Sequence, residues 1–255
     1  MPVAAADLIA FAAASMPTDD TSLTGGDIDL LRRVVFTGTE DQALGTTPGT
    51  IEVISNNASD TQNCTIVARK ADGSSVTETL ALTGVTAKIF AGNGAVERIQ
   101  SVDLASVAIG TVTVRRSVAG PTISTIPPGE RGVLRMFRNA VSSGSTKDMY
   151  EKLFWKNTHA TLALLNALVA EVVGGSAAKI TFAVEAVNGV GTAANRLTVP
   201  AGAGAFGDTS LAVSTGSLAV GARVGVWLKL SLTANDSPIA HSIAQYTTQI
   251  SGQSA

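Results

Sequence analysis

A chain of 255 residues with a formal net charge of -2 is long enough for one large domain or two of ordinary size. That near-zero net charge argues against a protein whose whole surface grips nucleic acid, and no direct nucleic-acid binding is expected. The single cysteine, Cys64, excludes an internal disulfide and a cysteine-rich metal site, and reads as a small side chain in a strand.

Hydrophobic residues reach 45% while aromatics are 4%, so the core must be built from small aliphatic side chains that bury less area per residue. Burial of surface against neighbours would add stability to such a chain. Ser, Thr, Asn and Gln supply most of the polar surface, and with Val and Ile they suit strands and turns better than long helices.

Residues 1–26 read as an N-terminal arm. Alanine favours a short helix over residues 4–15, and Pro17 marks its stop. Such an arm would dock Leu8 and Phe11 on a neighbouring subunit; a frayed end, or a helix packed on its own domain, is the plain alternative. The opening run superficially resembles a secretion segment, but no Lys or Arg precedes it and Asp7 interrupts it, so a cleaved signal is not expected. No apolar run reaches the length of a membrane-spanning helix, and no membrane partner is expected.

Residues 27–118 carry six short strand candidates, at 28–36, 50–54, 62–70, 75–82, 96–102 and 111–115. Asp72-Gly73 between two of them is a strong hairpin signal. Glu78 breaks an otherwise apolar parity and points to a sheet edge or hairpin rim. The pattern predicts a small antiparallel β-sandwich. Residues 119–129 hold Pro121, Pro127, Pro128, Gly120 and Gly129 and read as a linker, between domains or between sheets of one fold.

Residues 130–255 then form a second β-rich domain, sandwich or jelly-roll-like. Strands are expected at 149–156, 180–187 and 224–232, with a last strand through Ile250. Residues 161–173 fit either a three-turn helix or a strand, in which Thr161, Ala163, Leu165, Ala167, Val169 and Glu171 share one parity. The fold class expected is therefore all-β, with two antiparallel domains and a short N-terminal arm.

No phosphate-binding loop, dinucleotide fingerprint, HExxH or GxSxG pattern is present. His159 and His241 are not spaced as a ligand pair, and His159 reads as a turn residue. The acidic sets Asp19/Asp20, Asp27/Asp29 and Glu40/Asp41 lack the regular spacing of a calcium loop and read as solvated loop residues. No catalytic residue, cofactor or metal is expected, and the chain is read as non-enzymatic. Trp155 and Trp227 are the clearest large anchors, each able to fill a core or to serve a subunit contact.

Ile54-Ser55-Asn56-Asn57-Ala58-Ser59-Asp60-Thr61, the Ala71–Ser74 hairpin and Glu78–Gly84 resemble segments of tailed-bacteriophage structural proteins. Ala194-Asn195-Arg196, Phe206-Gly207-Asp208 and Val224–Leu230 are similar to the same group. The resemblance implies a virion role. The expected partner is the major capsid protein, the expected task is decoration of the outer capsid surface, and self-association as a trimer is one option. A tail, collar or baseplate adaptor and a carbohydrate-binding module are the alternatives.

Overall fold

The computed structural model describes residues 2–35, 48–140, 144–173, 180–234 and 247–255. Within them the chain is all-β, with one 3-10 turn, Ala5–Asp7. Strands β1 (Leu8–Ser15) and β2 (Thr24–Val35) come first. Then follow β3 (Ile51–Ser55), β4 (Asn63–Arg69), β5 (Ser75–Ala81), β6 (Lys88–Phe90), β7 (Arg98–Leu104), β8 (Val112–Arg116), β9 (Thr122–Ile126) and β10 (Gly132–Arg135). The last are β11 (Lys147–Asn157), β12 (Leu164–Val173), β13 (Ile180–Val187), β14 (Thr192–Ala193), β15 (Leu211–Ala212), β16 (Ser217–Leu218), β17 (Arg223–Leu232) and β18 (Thr247–Ser254). They belong to two compact units, one of Met1–Phe36, Met136–Ser237 and Ala244–Ala255, the other of Thr37–Arg135 and Pro238–Ile243. These boundaries differ from the expected 27–118 and 130–255, because the chain's first strands return to the unit built from residue 136 onward.

In the first unit, β13, β17, β11, β1 and β2 lie side by side in one antiparallel sheet, with β14 paired to β2. A smaller sheet centres on β12, which pairs β15 and β16 on one side and β18 on the other. The expected helical arm is instead β1, a central strand between β11 and β2. Phe11 faces Phe154 across the ladder, and Phe11, Ala12 and Ala13 are all buried. A strand covered on both faces reads as a continuous apolar run, so pairing overrides the helix propensity of its alanines. The same holds for β17, where Val224 to Leu228 are buried without alternation and Trp227 is fully enclosed.

β12 resolves the helix-or-strand ambiguity in favour of a strand, but not with a uniform parity. Asn166 takes a left-handed backbone (φ 50°), and the register with β18 shifts between Leu165 and Leu168. This bulge turns Leu164, Ala167 and Val169 inward and leaves Leu165 and Leu168 outward.

In the second unit β10, β7, β4 and β5 lie side by side as antiparallel neighbours, and β6-β3-β8-β9 form a four-stranded antiparallel sheet. Cys64, Ile66 and Ala68 of β4, with Val112 and Val114 of β8, alternate into the core. The expected hairpin forms, with β4 and β5 paired from Asn63↔Ala81 to Arg69↔Ser75 and the Gly73 amide donating to the Lys70 carbonyl. Glu78 sits on β5 at the end of its sheet, where its carboxylate accepts the Asn93 amide at 2.8 Å. The expected linker 119–129 is not a free connection. Its middle is β9, paired to β8 and burying Ile123 and Ile126, while the prolines stand outside the strand where no ladder bond is required of them.

Candidate functional site: a hydrogen-bonded loop tip

Three loops of the second unit meet around one buried carboxylate. Asp60 lies in the β3–β4 loop. Its Oδ1 accepts the Ile109 amide at 2.8 Å and the Gln62 side-chain amide at 3.3 Å. Its Oδ2 accepts the Gly110 amide at 3.0 Å and the Ser55 hydroxyl. The Asp60 carbonyl accepts the Gly84 amide at 3.0 Å, and the Gly84 carbonyl accepts the Ser55 amide at 3.0 Å. Asn56 adds a second tie, its Oδ1 accepting the Thr111 amide at 2.8 Å while its own amide donates to the Thr111 carbonyl. Gly110 is required here, because a side chain would run into Asn56 Oδ1. Burial pushes the Asp60 carboxyl upward, but the donors of Ile109, Ser55 and Gly110 outweigh it and hold the group below the usual carboxylate range.

The locked loops present an uncharged surface. Within residues 56–61, 83–87 and 105–111 the only charged side chain is Asp60, which is buried. Val85 is 56% exposed, Val107 43% and Ile109 57%. The Ile109 amide bonds to the Asp60 carboxylate and the Gly84 amide to the Asp60 main-chain carbonyl, so Ile109 and Val85, the neighbour of Gly84, ride on backbone tied to Asp60. A surface ordered before contact has less conformational entropy to lose on binding. At the other end of the same strands, the Glu52 carboxylate accepts Arg115 Nε at 2.6 Å and the amides of Val118 and Ala119 at 3.1 and 3.0 Å, which fixes the left-handed β8–β9 turn.

The first unit holds two buried ion clusters on adjacent residues of β11, Glu151 and Lys152, whose side chains leave opposite faces of the sheet. Lys152 Nζ lies 2.6 Å from Glu185 Oε2 and donates to the carbonyls of Gly26, Gly189 and Gly191 at 3.2–3.4 Å. It also stands over the Phe154 ring, 4.5 Å from its centre. Glu185 accepts Trp227 Nε1 at 2.6 Å. Gly25, with φ 94°, leaves room for that indole, since a Cβ there would come within 2.7 Å of it. Burial lowers the Lys152 pKa despite Glu185. With ammonium, carboxylate and indole all buried, the cluster clamps the segment after β13 onto the sheet.

On the other face, Glu151 accepts the Phe137 amide at 2.6 Å and faces Arg196 Nη1 at 3.4 Å. Arg196 also pairs with Asp20 at 2.6 Å and donates to the Arg138 carbonyl at 2.7 Å. Asp20 completes the chain to Lys147 at 2.8 Å. Burial pushes Glu151 up to about 7.

The residues singled out in the sequence scatter. Phe11 and Trp227 lie in the core of the first unit. Leu8 is half-buried opposite Asn157. Trp155 is half-buried and donates its indole N–H to Thr248 at 3.2 Å. Asp19 caps its own turn through Thr21 and Ser22, Asp20 is held by Lys147 and Arg196, and Asp27 pairs with Arg223 at 2.6 Å. Those three carboxylates face separate partners, and among the described residues no group of His, Cys, Asp and Glu could hold a metal ion. His159 accepts the amides of Thr161 and Leu162 through Nδ1, a turn role, while His241, Glu40 and Asp41 fall outside the described residues. Cys64 is buried, and burial pushes its thiol up to about 12. No helix is long and apolar enough to cross a membrane among the described residues. The loop tip was missed because its signal, a carboxylate amid Ser, Asn and Gly, is common turn chemistry until the fold brings 55–60, 84 and 109–111 together. Compared with protein-family models, curated proteins and solved structures, the chain matches none.

Proposed function

We propose that the protein is a non-enzymatic structural component that docks on a larger assembly through the Asp60-locked tip, and that this assembly is a tailed-phage particle whose capsid it decorates. The observation that carries the docking part is the combination of an uncharged surface, three exposed aliphatics and a backbone already fixed by hydrogen bonds. The particle part is supported by the resemblance of residues 54–61, 71–84 and 194–230 to phage structural proteins; the first of these stretches contains Ser55, Asn56 and Asp60 of the tip. Each unit is proposed to be a β-sandwich, its two sheets facing across the small-aliphatic core. A sugar-binding role draws no support from the tryptophans, since Trp227 is enclosed and the Trp155 indole N–H is engaged by Thr248.

The test is occupancy on particles assembled with Ile109→Lys or Val107→Lys. Both positions are exposed, so thermal unfolding should match the parent. Occupancy should fall roughly tenfold for each, as for a side chain near the centre of a contact. Unchanged occupancy rejects the tip as the docking surface. A density map that places the chain on the tail or baseplate rejects the capsid location.

A further inference from the structure

We infer that the first unit pairs with a second copy of the chain through the outer edge of β18, antiparallel about a two-fold axis at Ser251. The inference does not depend on any particle. It rests on how the long sheet edges of this protein are treated.

An unpaired edge strand is a template for another strand unless it is covered, charged or interrupted by proline. The other long edges carry such a device. On β13, Phe182 exchanges two backbone hydrogen bonds with Gly207, and the Val187 amide donates to the Ser214 hydroxyl. β5 carries the Glu78 carboxylate, tied to the Asn93 amide. β9 is five residues long and bounded by Pro121 and Pro127. β18 reads Thr-Thr-Gln-Ile-Ser-Gly-Gln-Ser, with no charge and no proline. Its one described neighbour in the sheet is β12. Ser251, Gly252 and Gln253 are consecutive and all exposed, so the edge and the face carrying Ser251 and Gln253 are open. Thr248 and Ile250 on the other face are buried, and Gly252 lies against Leu164.

The surface beside this edge extends it. Leu165 and Leu168, displaced outward by the β12 bulge, are 39% and 41% exposed and stand opposite Gln253 and Ser251. Ala212 of β15, opposite Leu168, is exposed as well. Gln249, Ser251, Gln253, Leu165, Leu168 and Ala212 form an uncharged face.

The occupant that fits is β18 itself. Antiparallel pairing about Ser251 sets Gln249 against Gln253 of the other copy and Ser251 against its counterpart. Gln and Ser each donate and accept, so like meets like without repulsion. Gln253 is oriented by Asn166, whose amide donates to Gln253 Oε1 at 3.2 Å and leaves the Gln253 amide hydrogens to bond across the axis. On the opposite face Ile250 is buried in its own copy and Gly252 lies against Leu164, so the contact across the axis is made by the edge and the Gln/Ser face alone.

Sedimentation velocity on the full chain over a concentration series tests this. The parent should shift from monomer to dimer as concentration rises towards the order of 100 μM. Gln249→Lys with Gln253→Lys places like charges across the axis and should weaken dimerisation at least tenfold, at unchanged thermal unfolding. Gln249→Lys with Gln253→Glu places opposite charges there and should restore the dimer. A parent that stays monomeric, or a dilysine variant as dimeric as the parent, overturns the inference; a Lys/Glu variant no more dimeric than the dilysine one overturns the two-fold register. Because these measurements need no particle, their failure is distinct from failure of the Ile109 and Val107 occupancy test.

Discussion

Lys152 and Glu185 illustrate what a buried charge asks of its surroundings. The ammonium has a carboxylate at 2.6 Å and three carbonyls within 3.4 Å, and the carboxylate also takes the Trp227 indole N–H. Such a pair is weak evidence for net stability, since desolvation offsets much of the attraction, yet removal of one partner leaves the other uncompensated. Lys152→Met should therefore cost about 3–5 kcal/mol in urea unfolding. Glu185→Gln keeps an acceptor for Trp227 and removes the stranded charge, so Lys152→Met with Glu185→Gln should be less destabilised than Lys152→Met alone. A double variant that loses the sum of the two single losses would show that the charges are not coupled.

Elements whose apolar positions follow a simple period were legible in the sequence; elements defined by long-range pairing were not. The β4–β5 hairpin follows from Asp72-Gly73 between two alternating runs, and β13 and β17 fall where strands were expected, although β17 buries both parities over Val224–Leu228. β1 was misread because Leu8–Ser15 is rich in alanine, and nothing local reports that β11 and β2 will take it in from both sides. β9 was hidden by flanking prolines that in fact mark its ends. The bulge at Asn166 spoiled a parity that a strict two-residue period assigns to β12. The ion clusters escaped for the same reason as the loop tip: Glu151 is brought to Arg196 and Asp20, and Lys152 to Glu185, by ladders spanning the unit. A consequence is testable at this scale. Deletion of residues 1–20 removes a central strand together with Asp20, so the first unit should lose its protease resistance and its β signal in circular dichroism. A truncated chain that keeps both would return β1 to the status of a dispensable arm.

Across the whole molecule the titrating carboxylates pull stability in two directions. Burial raises Asp20, Asp148, Glu52 and Asp60, but ion pairs or amide donors outweigh it, and all four are held below their ordinary values. Such groups bind fewer protons folded than unfolded. Their contribution is present above the unfolded values near 4 and is lost as pH falls through the folded ones. Two lie in each unit, so acid should weaken both. Glu151 has the opposite sign. Burial lifts it from 4.5 to about 7 against the pull of the Phe137 amide, Arg196 and Arg138. Its folded form holds a proton that the unfolded chain has released, so its contribution is complete below 4.5 and is lost as pH rises through about 7. Denaturant midpoints measured from pH 3 to 9 should therefore rise steeply out of the acid range. Relative to Glu151→Gln, the parent should then decline between about 4.5 and 7 and run parallel above. A constant difference between the two across that window would show that the Glu151–Arg196 pair keeps the carboxylate ionised in the folded protein, leaving the four depressed groups to set the acid limit.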